Sequence, residues 1–113
     1  MPRIDEYSFG HIVIDGHIHE RDVIILPSRV VSEWWRAEGH SLVIEDLDDV
    51  ADELPRHLVV GAGAHGQLKP DPGALEELKS RGVEVEVLDT PQAVRRYGEL
   101  DESTTAAALH LTC

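Results

Sequence analysis

The chain has 113 residues, of which 42% are hydrophobic, and its 22 acidic against 10 basic side chains give a formal net charge of −12. One domain is the natural count at this length, and burial of roughly 65% of the unfolded surface supplies a real core, so wholesale disorder is excluded. The charge repels phosphate backbones and anionic lipid heads, which removes nucleic acid and membrane surfaces as partners of first choice.

The N-terminal residues carry neither a secretory nor an Arg-rich targeting pattern, and no apolar run approaches the ~18 residues of a membrane span. The single cysteine, Cys113, rules out an intramolecular disulfide and suits a reducing compartment. The expected location is cytoplasmic. Lys occurs only at Lys69 and Lys79. That bias suits a high-salt interior or a GC-rich genome alike.

Taken in chain order, His11-Ile12-Val13-Ile14 is a β-branched run, Asp15-Gly16 follows, and a second run covers residues 17–26. Asp-Gly between two such runs predicts a hairpin with a type I′ turn, and Pro27 ends its second strand. Val30-Val31 starts a further short strand. Residues 45–54 read as a helix, with Leu47, Val50, Ala51 and Leu54 on one face and six acids elsewhere. Pro55 closes it. His57-Leu58-Val59-Val60 reads as a buried strand running into Gly61. Asp71-Pro72 caps the next helix, which places Leu75 and Leu78 inward and stops at Gly82. Val83-Glu84-Val85-Glu86-Val87 alternates as a strand with one apolar and one acidic face. Thr90-Pro91 caps a third helix, with Ala93, Val94 and Tyr97 inward, and residues 105–111 form the last strand. The fold class expected is α/β, one domain over residues 1–113, with an N-terminal hairpin and about three helices over a mixed sheet.

Four groups of residues are candidates for chemistry. Gly61-Ala62-Gly63-Ala64-His65-Gly66 spells G-x-G-x-x-G after a strand. A dinucleotide site needs those glycines to open a helix, yet the helix signal waits until Asp71. Gly61, Gly63, His65 and Gly66 therefore stand as a ligand or anion pocket built on backbone N–H groups, or as a loop that packs closely. His17 and His19 share a strand face but make only half a zinc site, so no metal is expected. Trp34, Trp35, Arg36 and His40 form the densest unusual cluster. Adjacent tryptophans cannot share one stripe, so one packs inward and the other lies at the rim with Arg36 stacked on it. Tryptophan and arginine are enriched at interface hot spots, which makes this cluster the candidate partner contact. His110 and Cys113 fall on opposite faces of a continuous strand, with no acid evident to orient the imidazole. No G-x-S-x-G, Walker loop or C-x-x-C occurs, and no cofactor is implied.

Phe9-Gly10 with the hairpin, Pro27-Ser28, Trp34-Trp35-Arg36 with Gly39-His40, Val59-Val60-Gly61-Ala62-Gly63, Thr90-Pro91 and Leu109-His110-Leu111-Thr112-Cys113 come in an order that resembles the adipogenesis-associated Mth-domain family. That family includes a mitochondrial respiratory complex I assembly factor. The resemblance implies a three-layer α/β domain and no established enzymatic activity. The leading expectation is a cytoplasmic protein-binding or assembly module rather than an enzyme. The alternative is a small-ligand binder or enzyme with its pocket at the glycine loop. A homo-oligomer joined through an edge strand is the third reading.

Overall fold

A computed structural model describes residues 2–113. Strands β1 (Ile4–Ser8), β2 (His11–Ile14) and β3 (His17–His19) form an antiparallel sheet in that order. The turn between β2 and β3 is as the Asp-Gly pair requires, with φ of 50° at Asp15 and 79° at Gly16 and Ile14 opposite His17. The second arm is shorter than expected. It ends at His19, and Val23–Ile25 leaves as β4 for a different sheet. The reason is burial: Val23, Ile24 and Ile25 are all fully buried. Side chains on successive strand residues point to opposite faces, so only a sheet covered on both sides can bury all three.

That sheet has five strands in the order β5-β4-β10-β7-β9, where β5 is Val30–Val31, β7 His57–Ala62, β9 Glu84–Leu88 and β10 Thr105–His110. β10 runs parallel to β7 and antiparallel to β4, and β7 is parallel to β9, so the sheet is mixed. β6 (Ser41–Leu42) and β8 (Lys69–Pro70) make a small parallel pair of their own.

Two cores follow from the alternation. On one face Ile24, Leu58, Val60, Ala106 and Ala108 pack with Leu47, Val50 and Leu78. Leu47 and Val50 come from a segment over Ile44–Glu53, and Leu78 from α1 (Pro72–Ser80). On the other face Val23, Ile25, Val59, Ala107 and Leu109 meet Ile12 and Ile14 of the small sheet and Ala93 and Tyr97 of α2 (Thr90–Glu99). The result is three layers.

The first expected helix is present as a 3-10 segment, Ile44–Glu53, with the tighter winding. Leu47 and Val50 are its buried residues, three apart, which is the period of a 3-10 turn. α1 begins as expected: the Asp71 carboxylate accepts from Gly73 N at 3.0 Å, and Gly82 takes φ 82° beyond its end. The cap of α2 is Asp89 rather than Thr90, with Oδ1 accepting from Gln92 N at 2.9 Å. Thr90 is freed for another task. Its hydroxyl donates to His110 O at 2.6 Å and accepts from Gly63 N at 2.8 Å, which ties α2 to β10 and to the glycine loop. Among the described residues no helix is long and apolar enough to cross a membrane.

Candidate functional site

The pairing of β4 with β10 sets Val23 opposite Leu109. The residue before β4, Asp22, is thereby placed beside the end of β10. Its Oδ1 accepts from Leu111 N at 2.8 Å. Oδ2 lies 2.7 Å from Arg36 Nη1, which donates to it, and 2.8 Å from His110 Nδ1. Arg36 also donates through Nη2 to Gly39 O at 2.9 Å. Its side chain is only 4% exposed.

The Trp34-Trp35 segment is held over this cluster by a backbone reversal. Glu33 adopts φ 54°, a left-handed conformation that costs a non-glycine residue roughly 1–2 kcal/mol. The reversal lets Trp34 N donate to Asp22 O at 2.8 Å. The Trp34 indole N–H donates to Asp46 O at 2.9 Å and joins the segment to the 3-10 layer. Asp46 completes the fixing, since its carboxylate accepts from Ala37 N at 3.1 Å and Val43 N at 3.0 Å. Trp34 is buried and Trp35 is 77% exposed, as two adjacent tryptophans must divide. The stacking differs from expectation. Arg36 Cζ lies 4.8 Å from the ring centroid of Trp34, the buried tryptophan, and not over the rim residue Trp35. The pull of Asp22 turns the guanidinium inward.

The electrostatics of the cluster follow from these contacts. Burial alone would raise the Asp22 carboxyl. Hydrogen bonds from His110, from the Leu111 N–H and from Arg36 outweigh it and hold the group below the usual carboxylate range. His110 Nδ1 lies 3.1 Å from Arg36 Nη2 as well, but a guanidinium has no acceptor. A carboxylate only accepts, so Nδ1 carries the proton of the Asp22 contact, and Nε2 is the ring nitrogen turned towards Thr112. Nε2 lies 3.5 Å from Thr112 Oγ1, and both residues line a cleft of about 300 Å³ together with Glu20, Glu33, Trp34 and Trp35. His40 is exposed, with its ring 6.2 Å from that of His110 in an edge-on arrangement. An oriented imidazole facing a cleft can accept a hydrogen bond or exchange a proton.

The residues of the glycine loop are placed differently. Gly61 is packed under α2, where an added Cβ would lie 2.8 Å from Leu109 Cδ2 and 3.0 Å from Thr90 Oγ1. Besides the Gly63 N–H, the loop donates from Ala64 N to Thr112 O at 2.6 Å, from Gly66 N to Gly63 O at 3.1 Å and from Gln67 N to Cys113 O at 3.0 Å. These donors are spent on the chain itself, and no helix opens at the loop. His65 points outward, 6.4 Å from the Phe9 ring. Of the four residues expected to form a pocket, only Gly66 lines the shallow cleft of about 190 Å³ beside the loop.

Asp22 was not singled out from the sequence, because it lies inside a run that reads as one continuous strand. The break between β3 and β4 puts it at a strand start, where its side chain can reach the neighbouring strand's end. The same contact supplies the acid that His110 lacks on sequence grounds. His17 and His19 lie opposite Ile14 and Ile12. Cys113 is a free, half-buried thiol.

The fold recurs in solved structures. A conserved hypothetical protein, PH1505, from Pyrococcus horikoshii is 28% identical, with 98% of this chain and 99% of that chain covered at a TM-score of 0.83. A protein from Bordetella parapertussis is 24% identical over 98% of this chain and 96% of its own, with a TM-score of 0.82. A Mth938-like domain from Bordetella pertussis, at 22% identity, covers 97% of this chain and 85% of its own with a TM-score of 0.70. The family model for proteins of unknown function DUF498/DUF598 matches residues 4–111. Sequence and fold together place the chain in the DUF498/DUF598 family of Mth938-like domains.

Proposed function

We propose that the chain is a cytoplasmic protein-docking module of the assembly type, acting through the surface around Trp35 rather than through catalysis. The observation that carries this reading is the contrast within three consecutive residues. Trp34 and Arg36 are buried and cross-bonded, while Trp35 between them is 77% exposed. An aromatic side chain on backbone that is already ordered loses little entropy on binding, and tryptophan is the residue type that most often anchors an interface. The strained Glu33 backbone supports the same reading, since strain of this kind concentrates at functional positions.

The rival pocket at Gly61, Gly63, His65 and Gly66 has less in its favour, because the loop's N–H groups at positions 63, 64, 66 and 67 are already bonded. His40 belongs to the proposed contact as an exposed neighbour of the His110 ring. The test is affinity capture from the native cell with wild type and Trp35→Ala side by side. Trp35 bears little of the fold, so the variant keeps its melting temperature. A partner held by wild type and lost by the variant supports docking at Trp35. An identical set of captured proteins overturns it.

A further inference from the structure

The cleft beside Trp35 has a chemistry that narrows what docks, and the inference rests on the docking reading above. We propose that the cleft between Trp35 and His110 receives an arginine side chain from a basic segment of the partner protein.

Three observations converge. First, Glu20 and Glu33 on the rim are exposed and make no ion pair among the described residues. A second cleft of about 290 Å³ shares Glu33, Trp34 and Trp35 with the first and adds Asp49 and the apolar Val31 and Val50. Arg21 is the single Lys or Arg among the residues lining these two clefts. An anion is therefore repelled, and a positively charged segment is attracted.

Second, an imidazole nitrogen with only a long contact lies in the cleft lining. The His110 side chain is 8% exposed, and Asp22 holds its Nδ1. Nε2 then has one long contact, to Thr112 Oγ1 at 3.5 Å. In the neutral imidazole Nε2 is an acceptor, which an occupant with N–H donors serves better than an apolar one.

Third, the open face of Trp35 suits a planar cation. The fold already makes this contact once, with Arg36 on Trp34. A guanidinium stacks on an aromatic face and still directs its five N–H donors in plane, towards Glu20, Glu33 and His110. A lysine ammonium is a compact, strongly hydrated charge and cannot do both.

The experiment is an amide and indole NMR titration of the full chain with a capped peptide alternating arginine and glycine, and with the same peptide carrying citrulline for arginine. Citrulline keeps the shape and removes the charge. Expected are saturable shifts of the Trp35 indole N–H and of Glu33 and Thr112. The Trp34 indole N–H, bonded to Asp46 O, stays in place. Trp35→Ala, the pair Glu20→Gln/Glu33→Gln and the citrulline peptide each weaken binding at least about tenfold. The pair Asp52→Asn/Glu76→Gln, whose residues line neither cleft, changes it by less than about twofold. Equal loss from the two pairs would show diffuse charge attraction and overturn the proposal. So would equal binding of the citrulline peptide, or the absence of a saturable shift. If the arginine peptide fails while Trp35→Ala still releases a native partner, this inference falls and the docking reading stands.

Discussion

Removing the Asp22 carboxylate tests whether the cluster beneath the proposed contact is one energetic unit. In Asp22→Ala, Arg36 keeps the Gly39 carbonyl and the Trp34 face but loses its counter-charge while its side chain is 4% exposed. Leu111 N–H and His110 Nδ1 lose their acceptor in the same step. Breaking a buried ion pair from one side costs about 3–5 kcal/mol, because the remaining charge stays buried. An unfolding entropy of about 2.1 cal/mol/K per residue makes that a fall in Tm of about 13–21 °C for a chain of 113 residues. Scanning calorimetry at neutral pH measures it directly. Trp35→Ala, at an exposed position, shifts Tm by no more than about 2 °C. Asp22→Ala/Arg36→Met, which removes the stranded charge as well, recovers at least half of the loss. The reasoning is refuted if Asp22→Ala melts within about 3 °C of wild type, or if the double variant is no more stable than the single one.

Acid unfolding carries the same signature. The folded-state pKa of Asp22 lies below its ordinary value of 3.8, so its contribution is complete above that value. It is lost as pH falls through the lower folded value. A denaturant midpoint followed from pH 5 downward drops less in Asp22→Asn than in wild type. At the glycine loop, Gly66→Ala meets no neighbour and costs about 1–2 kcal/mol for its φ of 66°. Gly63→Ala, at φ 97°, also drives a Cβ into the Cys113 backbone and to 2.9 Å from His110 Cδ2, and costs more than about 3 kcal/mol in urea unfolding. Equal losses at the two positions would show that the loop does not clamp onto the residues after β10. Glu33→Gly relieves the left-handed backbone and raises stability by up to about 1 kcal/mol in the same assay, while weakening the arginine peptide by removing a carboxylate.

Much of the fold is legible because it is decided locally. Asp15-Gly16 turns a hairpin since both residues tolerate positive φ, and Asp71-Pro72 starts a helix since the carboxylate meets a free N–H. The strands at 57–62 and 84–88 announce themselves through a short apolar run and through period-two alternation. The glycine loop shows the limit of such reading. Its spacing matches a phosphate cradle, but spacing cannot tell N–H groups that face a ligand from N–H groups already bonded within the chain.

The candidate site lies further from the sequence. The division of Trp34 from Trp35 follows from their adjacency, but which of them is buried does not. Asp22 is 14 residues from Arg36 and 88 from His110, and Arg36 is 74 from His110. Propensity and periodicity act over a few residues, so nothing local selects these three as neighbours. They meet because β4 leaves the hairpin to pair with β10, and that choice is made by the burial of Val23, Ile24 and Ile25 on both faces of the central sheet. Local sequence specifies the Asp15-Gly16 turn, the start of α1, the central strands and the charge. Which acid contacts His110, which tryptophan takes Arg36 and which stays exposed depend on strand order and register across the whole chain.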